Sequence, residues 1–378
     1  MLRFLFVCFA LLLVGIGVIR EVRRIPALPS GIDFGVYQAS ARVLERGGNP
    51  YSGAEMKAAG TYEGFRYTYL PYTLPVLQLL HGHDSNISYL LFGALKIGSL
   101  LLGLYLAWRS KVFPSWAIPL LGALALVGYG NAGLYDLRQG NISLLEFPLS
   151  IAAFVFLMQG KPRHFGFVTL LLCIVKPHFL LFVLPGLVLV PRKTVEGLLI
   201  GTPLLVGLLV FAAVRYPAFL RTYPSNVIAF DPTLQMGDSF RRLVLRSTGS
   251  VELGYAAMAM LLLFTSGAIS IILRDRRRGL EVTTAAVCAL YFGAALLNPR
   301  LPFYAHVHLA APTLLLLLDA PLRGPLLLGA MLLVCLVPAS LPFLITIPLL
   351  VIGVILNHRG TSPPWPLSTH DPAPQASS

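Results

Sequence analysis

Long apolar runs constrain this chain more than any other feature. The first, MLRFLFVCFALLLVGIGVI, opens the sequence, and others such as LLFGALKIGSLLLGLYLAW and LPFLITIPLLVIGVIL recur along it. A run of about 20 apolar residues spans a bilayer as a helix, because lipid offers the backbone no hydrogen-bond partner. Charged residues make up 12% of the chain, where a soluble domain carries about 25%, and the mean hydropathy is +0.76. The reading is an all-α, polytopic membrane helical bundle.

Twelve spans are expected, at 2–19, 86–108, 114–131, 143–158, 165–175, 178–190, 195–214, 253–273, 281–297, 306–319, 323–338 and 341–356. Lys176-Pro177 interrupts the 165–190 region, which reads as two short helices or one kinked helix. The first run is longer than a signal-peptide core and no A-x-A site follows it, so an uncleaved span is expected. Residues 1–357 read as a single membrane domain, and the Pro- and Ser-rich 358–378 as a disordered cytoplasmic tail.

The net charge of +13 fits topology better than nucleic-acid binding. Arg109, Lys111, Lys161, Arg163, Arg192, Lys193 and the Arg274–Arg278 cluster fall in alternate short loops, which the positive-inside rule places in the cytoplasm with both termini. Arg20, Arg23 and Arg24 run against that orientation, but they belong to a long segment, where the rule is weak. Segments 20–85 and 215–252 then become long outer loops. Within them, 35–46 and 239–247 have amphipathic helical spacing, as a membrane-surface helix or an ordinary solvated helix does. Cys8, Cys173, Cys288 and Cys335 sit in apolar runs without metal-ligand spacing and read as small core residues. No metal is called for.

Polar residues at span ends mark function in membrane proteins. Those facing the outer side are Asp33, Arg138-Gln139-Gly140-Asn141, Lys176 with His178, and Arg300 with His306 and His308. Together they suit a surface cavity for a charged, partly lipidic substrate. Asp33 has no Lys or Arg within eight residues on either side. Near lipid its pKa is expected to rise toward that of a useful base, while a cap for a helix beginning near Gly35 explains it equally well. Lys176, Arg138 and Arg300 read either as phosphate-binding cations or as snorkelling side chains. His306 and His308 are two apart, so on a helix at most one enters a site. Lys96, inside a span, has no assigned role. Neither a nucleotide-binding glycine loop nor a DxD pair occurs, so a sugar moved by this chain would come from a lipid phosphate.

Three blocks carry a family resemblance. They are Asp33-Phe34 followed by Gly48-Asn49-Pro50-Tyr51 and Phe65–Pro71, then Arg138-Gln139-Gly140-Asn141, then Val175-Lys176-Pro177-His178. Across 31–190 the chain resembles glycosyltransferase family 87, membrane enzymes of the GT-C class that use polyprenyl-phosphate sugars. In Arg138–Asn141 the glycine precedes Asn141, whereas the family pattern places it before the glutamine. The resemblance implies a GT-C fold with amphipathic helices over the site, Asp33 as general base and an inverting single displacement. It implies a lipid-phosphate-sugar co-substrate, a glycolipid or glycan acceptor, no further cofactor, and a bacterial inner membrane with the site on the periplasmic face. A hexose or pentose is expected, mannose-type favoured. Lys176, Arg300, His306 and His308 are the candidates for the donor phosphate, and Arg138, Gln139, Asn141, Tyr67, Tyr69 and His178 for the rest of the substrate. A transporter or flippase of lipid-linked sugars is the alternative, and a non-catalytic scaffold a third.

Overall fold

The computed structural model describes residues 2–24, 31–61, 65–78, 85–228, 244–245, 247–298, 303–320, 324–337 and 343–365. Helix α1 (Leu2–Arg24) precedes a capping segment of α2 (Ile32–Glu45), α3 (Gly53–Ala58) and α4 (Leu74–Gln78). Then come α5 (Ser85–Ser110), α6 (Ile118–Gln139), α7 (Ser143–Met158), α8 (Pro162–Val175), a 3-10 turn at Pro177–Val183, α9 (Leu184–Leu189), α10 (Pro191–Arg215) and α11 (Pro217–Ile228). The rest is α12 (Val251–Arg277), α13 (Thr284–Leu296), a 3-10 turn at Phe303–Leu309, α14 (Ala310–Asp319), α15 (Gly324–Leu336) and α16 (Phe343–His358). The described residues contain no strand, and one isolated bridge joins Thr283 to Pro364.

The all-helical expectation holds. The chain is read as an integral membrane protein; among the described residues five helices, at 4–23, 86–110, 115–139, 191–215 and 251–277, are long and apolar enough to cross a membrane, where twelve spans are expected, and seven further apolar helices have 10–17 residues. Helix α6 is the central one, and α5, α10 and α12 lie outside it with Leu101, Leu199 and Leu263 exposed. Such exposed apolar stripes belong against lipid, where they cost nothing.

Two ends of the bundle are sharply defined. At one, Gln159 donates to Ser110 O, Arg276 to Leu189 O and Trp365 to Leu157 O. At the other, the α6–α7 turn, Lys176 and His308 meet the capping segment, as described below. Residues 359–365, expected to be disordered, are ordered: the Trp365 amide donates to Val282 O at 2.7 Å and Ser362 Oγ to Asp319 at 2.7 Å. A buried tryptophan and satisfied backbone groups outweigh the Pro- and Ser-rich composition there. Residues 366–378 lie outside the described set.

Local chemistry decides the breaks. Lys176 precedes Pro177 and takes an extended conformation (φ −134°, ψ 105°), as the proline ring demands of its predecessor. The 165–190 region is therefore two helices joined by a 3-10 turn. Helix α6 does not end near 131 but breaks there and resumes, with Tyr129, Gly130 and Asn131 at positive φ. Asn131 is held in that conformation by donating to Gly17 O at 3.1 Å and Glu21 at 3.2 Å.

Candidate functional site

The turn after α6 is the hub. Gly140 is its left-handed C-cap (φ 75°), and a Cβ there would lie 2.4 Å from Phe34 Cβ, so a glycine lets α2 close on the turn. The Gly31 amide donates to Arg138 O at 2.8 Å, and the Ile32 amide to Gln139 Oε1 at 3.3 Å. Gln139 thus takes one of the free amides at the start of α2. The helix begins at Ile32 with Gly31 as its N-cap residue, ahead of the Gly35 start that a capping role for Asp33 requires. Asp33 lies inside the first turn, and its Oδ2 accepts from Asn141 Nδ2 at 3.0 Å.

Asn141 passes that contact inward. Its Oδ1 accepts from the Ile142 amide at 2.7 Å and from Lys176 Nζ at 3.1 Å. Lys176 Nζ also donates to Ser143 Oγ at 3.2 Å and Glu146 Oε2 at 3.0 Å. The ammonium's three N–H bonds are therefore matched by three acceptors, and an incoming anion has to displace one of them. His308 Nε2 lies 3.5 Å from the same Glu146 oxygen, and its ring meets Phe179 edge-on at 4.7 Å. Glu146 Oε1 and His308 Nδ1 are buried with no hydrogen-bond partner among the described residues.

Behind the turn lies a second buried pair. Lys96 Nζ is 2.9 Å from Asp136 Oδ2, and both side chains are fully buried. Asp136 Oδ1 accepts from the Ser143 amide at 2.9 Å and Oδ2 from the Leu144 amide at 3.4 Å, capping α7. Its carbonyl accepts from Gly140 and Asn141 at 3.0 and 3.3 Å. Lys96 also stands over the Phe92 ring, which packs on Phe34 at 5.3 Å.

The environment alters Asp33. Burial is the main influence, and it pushes the carboxyl from 3.8 up to about 6. The Asn141 hydrogen bond opposes the rise, Asp136 adds to it, and Lys176 and Lys96 offset part of it. Asp33 keeps part of its surface open. Such a group exchanges protons with a bound molecule near neutral pH.

An aromatic floor adjoins it. Tyr37 of α2 shares a hydrogen bond with Tyr69 at 3.0 Å, and Tyr51 donates to Tyr69 O at 2.8 Å. The Tyr67 amide donates to Pro50 O at 3.1 Å, which ties the 49–51 turn to the 65–71 block. Tyr72 donates to Ile174 O and Tyr223 to Thr68 O at 3.2 Å, which bring α8 and α11 to the same layer.

Of the residues singled out in the sequence, Asp33, Gln139, Asn141, Lys176 and His308 come together. Arg138 lies beside them but forms an ion pair with Glu21 at 3.2 Å. Tyr67 and Tyr69 belong to the aromatic floor. His306 packs on Tyr129 at 5.4 Å while His308 meets Glu146, so the two histidines diverge as their spacing predicts. Arg300 lies outside the described residues, as does the His178 side chain, and of segment 239–247 residues 244, 245 and 247 alone are described. The sequence reading noted Lys96 without a role and missed Asp136, Glu146 and Glu21. A lysine inside LLFGALKIGSLLLG needs a buried acid, and the packing of α5 on α6 is what selects Asp136.

No protein-family model, curated protein or solved structure matches the chain.

Proposed function

We propose that this chain is a membrane glycosyltransferase that moves a hexose or pentose, mannose-type favoured, from a polyprenyl-phosphate sugar to a lipid or glycan acceptor. The observation that carries the reading is Asp33: a part-open carboxyl of raised proton affinity, fixed by Asn141 at 3.0 Å beside an aromatic layer. The resemblance of 31–190 to glycosyltransferase family 87 agrees with it, and twelve passes of a GT-C-like bundle, with the site on the periplasmic face, complete the proposed architecture.

In this mechanism Asp33, ionised at pH 7, accepts the acceptor hydroxyl's proton as that oxygen bonds to the anomeric carbon. The bond from that carbon to the phosphate oxygen breaks, its electron pair leaves with the polyprenyl phosphate, and configuration inverts through an oxocarbenium-like transition state. The phosphate's charge needs cations already in place. Lys176 meets it by exchanging one present acceptor, His308 when protonated is the second described candidate, and Arg300 is the third, from the sequence. Tyr67 and Tyr69 offer the sugar or prenyl chain aromatic faces.

A transporter or flippase is the second reading. Two seven-residue 3-10 segments, Pro177–Val183 and Phe303–Leu309, interrupt the two halves of the chain, as broken helices do in transporters. Purified protein in lipid, given a panel of radiolabelled polyprenyl-phosphate sugars and membrane acceptors, separates the two. Sugar transfer that depends on Asp33 supports the enzyme. Donor translocation without transfer supports the flippase.

A further inference from the structure

Lys96 and Asp136 are fully buried, and both belong to helices that do not carry Asp33. Every polar oxygen of Asp136 is used within one short stretch. Its carboxylate caps Ser143 and Leu144, and its carbonyl holds Gly140 and Asn141. That stretch is the turn whose Asn141 amide grips Asp33. A buried pair is a poor source of stability compared with apolar packing, and its best-attested use is to fix one arrangement.

We propose that the Lys96–Asp136 pair is a positioning device for Asp33, fixing the 140–143 turn so that Asn141 presents the carboxyl to substrate and setting the charge behind it. The proposal rests on the reading of Asp33 as the proton acceptor. Other charged groups facing Asp33 are Lys176 from the α8–α9 junction and, one contact further, Glu146 and His308. Arg138 faces Glu21, and Tyr89 of α5 donates to the Arg138 carbonyl. None of them caps the turn as Asp136 does.

The device separates into two opposite effects. Asp136→Asn removes a negative charge that faces Asp33 across the turn and lowers its midpoint. Lys96→Gln removes a positive charge and raises it. Lys96→Gln/Asp136→Asn keeps hydrogen-bonding groups at both positions and removes both charges, which guards against a variant lost to misfolding. Protonated Asp33 reacts with a carbodiimide and a labelled amine, so its midpoint is read by mass spectrometry of the full-length protein without any transfer assay. Folding is checked by size exclusion and thermal midpoint.

The expected result is a shift of about half a pH unit or more in opposite directions for the single variants, with the double variant between them. In transfer assays the folded variants lose kcat about tenfold while KM holds. Folded variants whose Asp33 midpoint stays at the wild-type value, or moves the same way in both singles, overturn the proposal. Opposed shifts without sugar transfer by wild-type protein leave the positioning role standing and remove the glycosyltransferase reading.

Discussion

Asp33 shows how one residue's surroundings set both its chemistry and its cost. Its carboxyl titrates near 6 because burial disfavours the charged form. A base of that kind gives a transfer rate that rises with pH through about 6 and then levels, read as the pH profile of kcat/KM. The stability effect has the opposite sign. The folded state holds the proton more tightly than the unfolded chain, so the contribution is full below the ordinary value of 3.8 and is lost as pH rises through about 6. Asp33→Asn removes that loss. It is predicted to raise stability at pH 7.5 by about 1–3 kcal/mol in thermal or denaturant unfolding, while lowering the transfer rate about 10²–10⁴-fold. The residue itself was legible in the sequence, as an acid without a nearby cation. Its role was not, since a helix cap was equally consistent until the structure placed the helix start at Ile32 and Gly31 at the cap.

At the scale of elements, the α6–α7 turn joins four parts of the chain: α2 through Gly31 and Ile32, α5 through Lys96, α8 through Lys176, and α7 through its capped amides. Gly140→Ala tests that junction. A methyl group would meet Phe34 at 2.4 Å in a backbone already at φ 75°. The variant is predicted to lose about 1–3 kcal/mol of stability and to move α2 off the turn, seen as faster hydrogen exchange over residues 32–45. Lys176→Met is predicted to leave Glu146 uncompensated and to cost about 3–5 kcal/mol, which thermal unfolding measures. The Arg138–Asn141 motif was legible as a unit from its polar residues between apolar runs. The acids that anchor it, Asp136 and Glu146, were not, because each lies in a helical segment whose apolar neighbours set the pattern. The mid-span Lys96 was the visible clue, and its partner followed only once α5 and α6 were packed together.

At the scale of the whole molecule, hydropathy located the apolar helices of the described residues, five of them long enough to cross a membrane and seven of 10–17 residues. It also missed the break in α6, which depends on three consecutive left-handed residues held by contacts to α1. The order of residues 359–365 was hidden for a similar reason: Trp365 is buried and donates to Leu157 O, far away in sequence. Trp365→Ala is predicted to cost about 3–5 kcal/mol without changing the Asp33 midpoint, because it lies at the opposite end of the bundle. Unfolding and carbodiimide titration check both halves of that prediction. Sugar transfer by purified wild-type and Asp33→Asn protein, supplied with polyprenyl-phosphate sugars and membrane acceptors at pH 7.5, is the most direct test of Asp33 as the base. The wild type is predicted to transfer sugar and the variant to lose at least about a hundredfold. Transfer by folded Asp33→Asn at the wild-type rate would contradict that role.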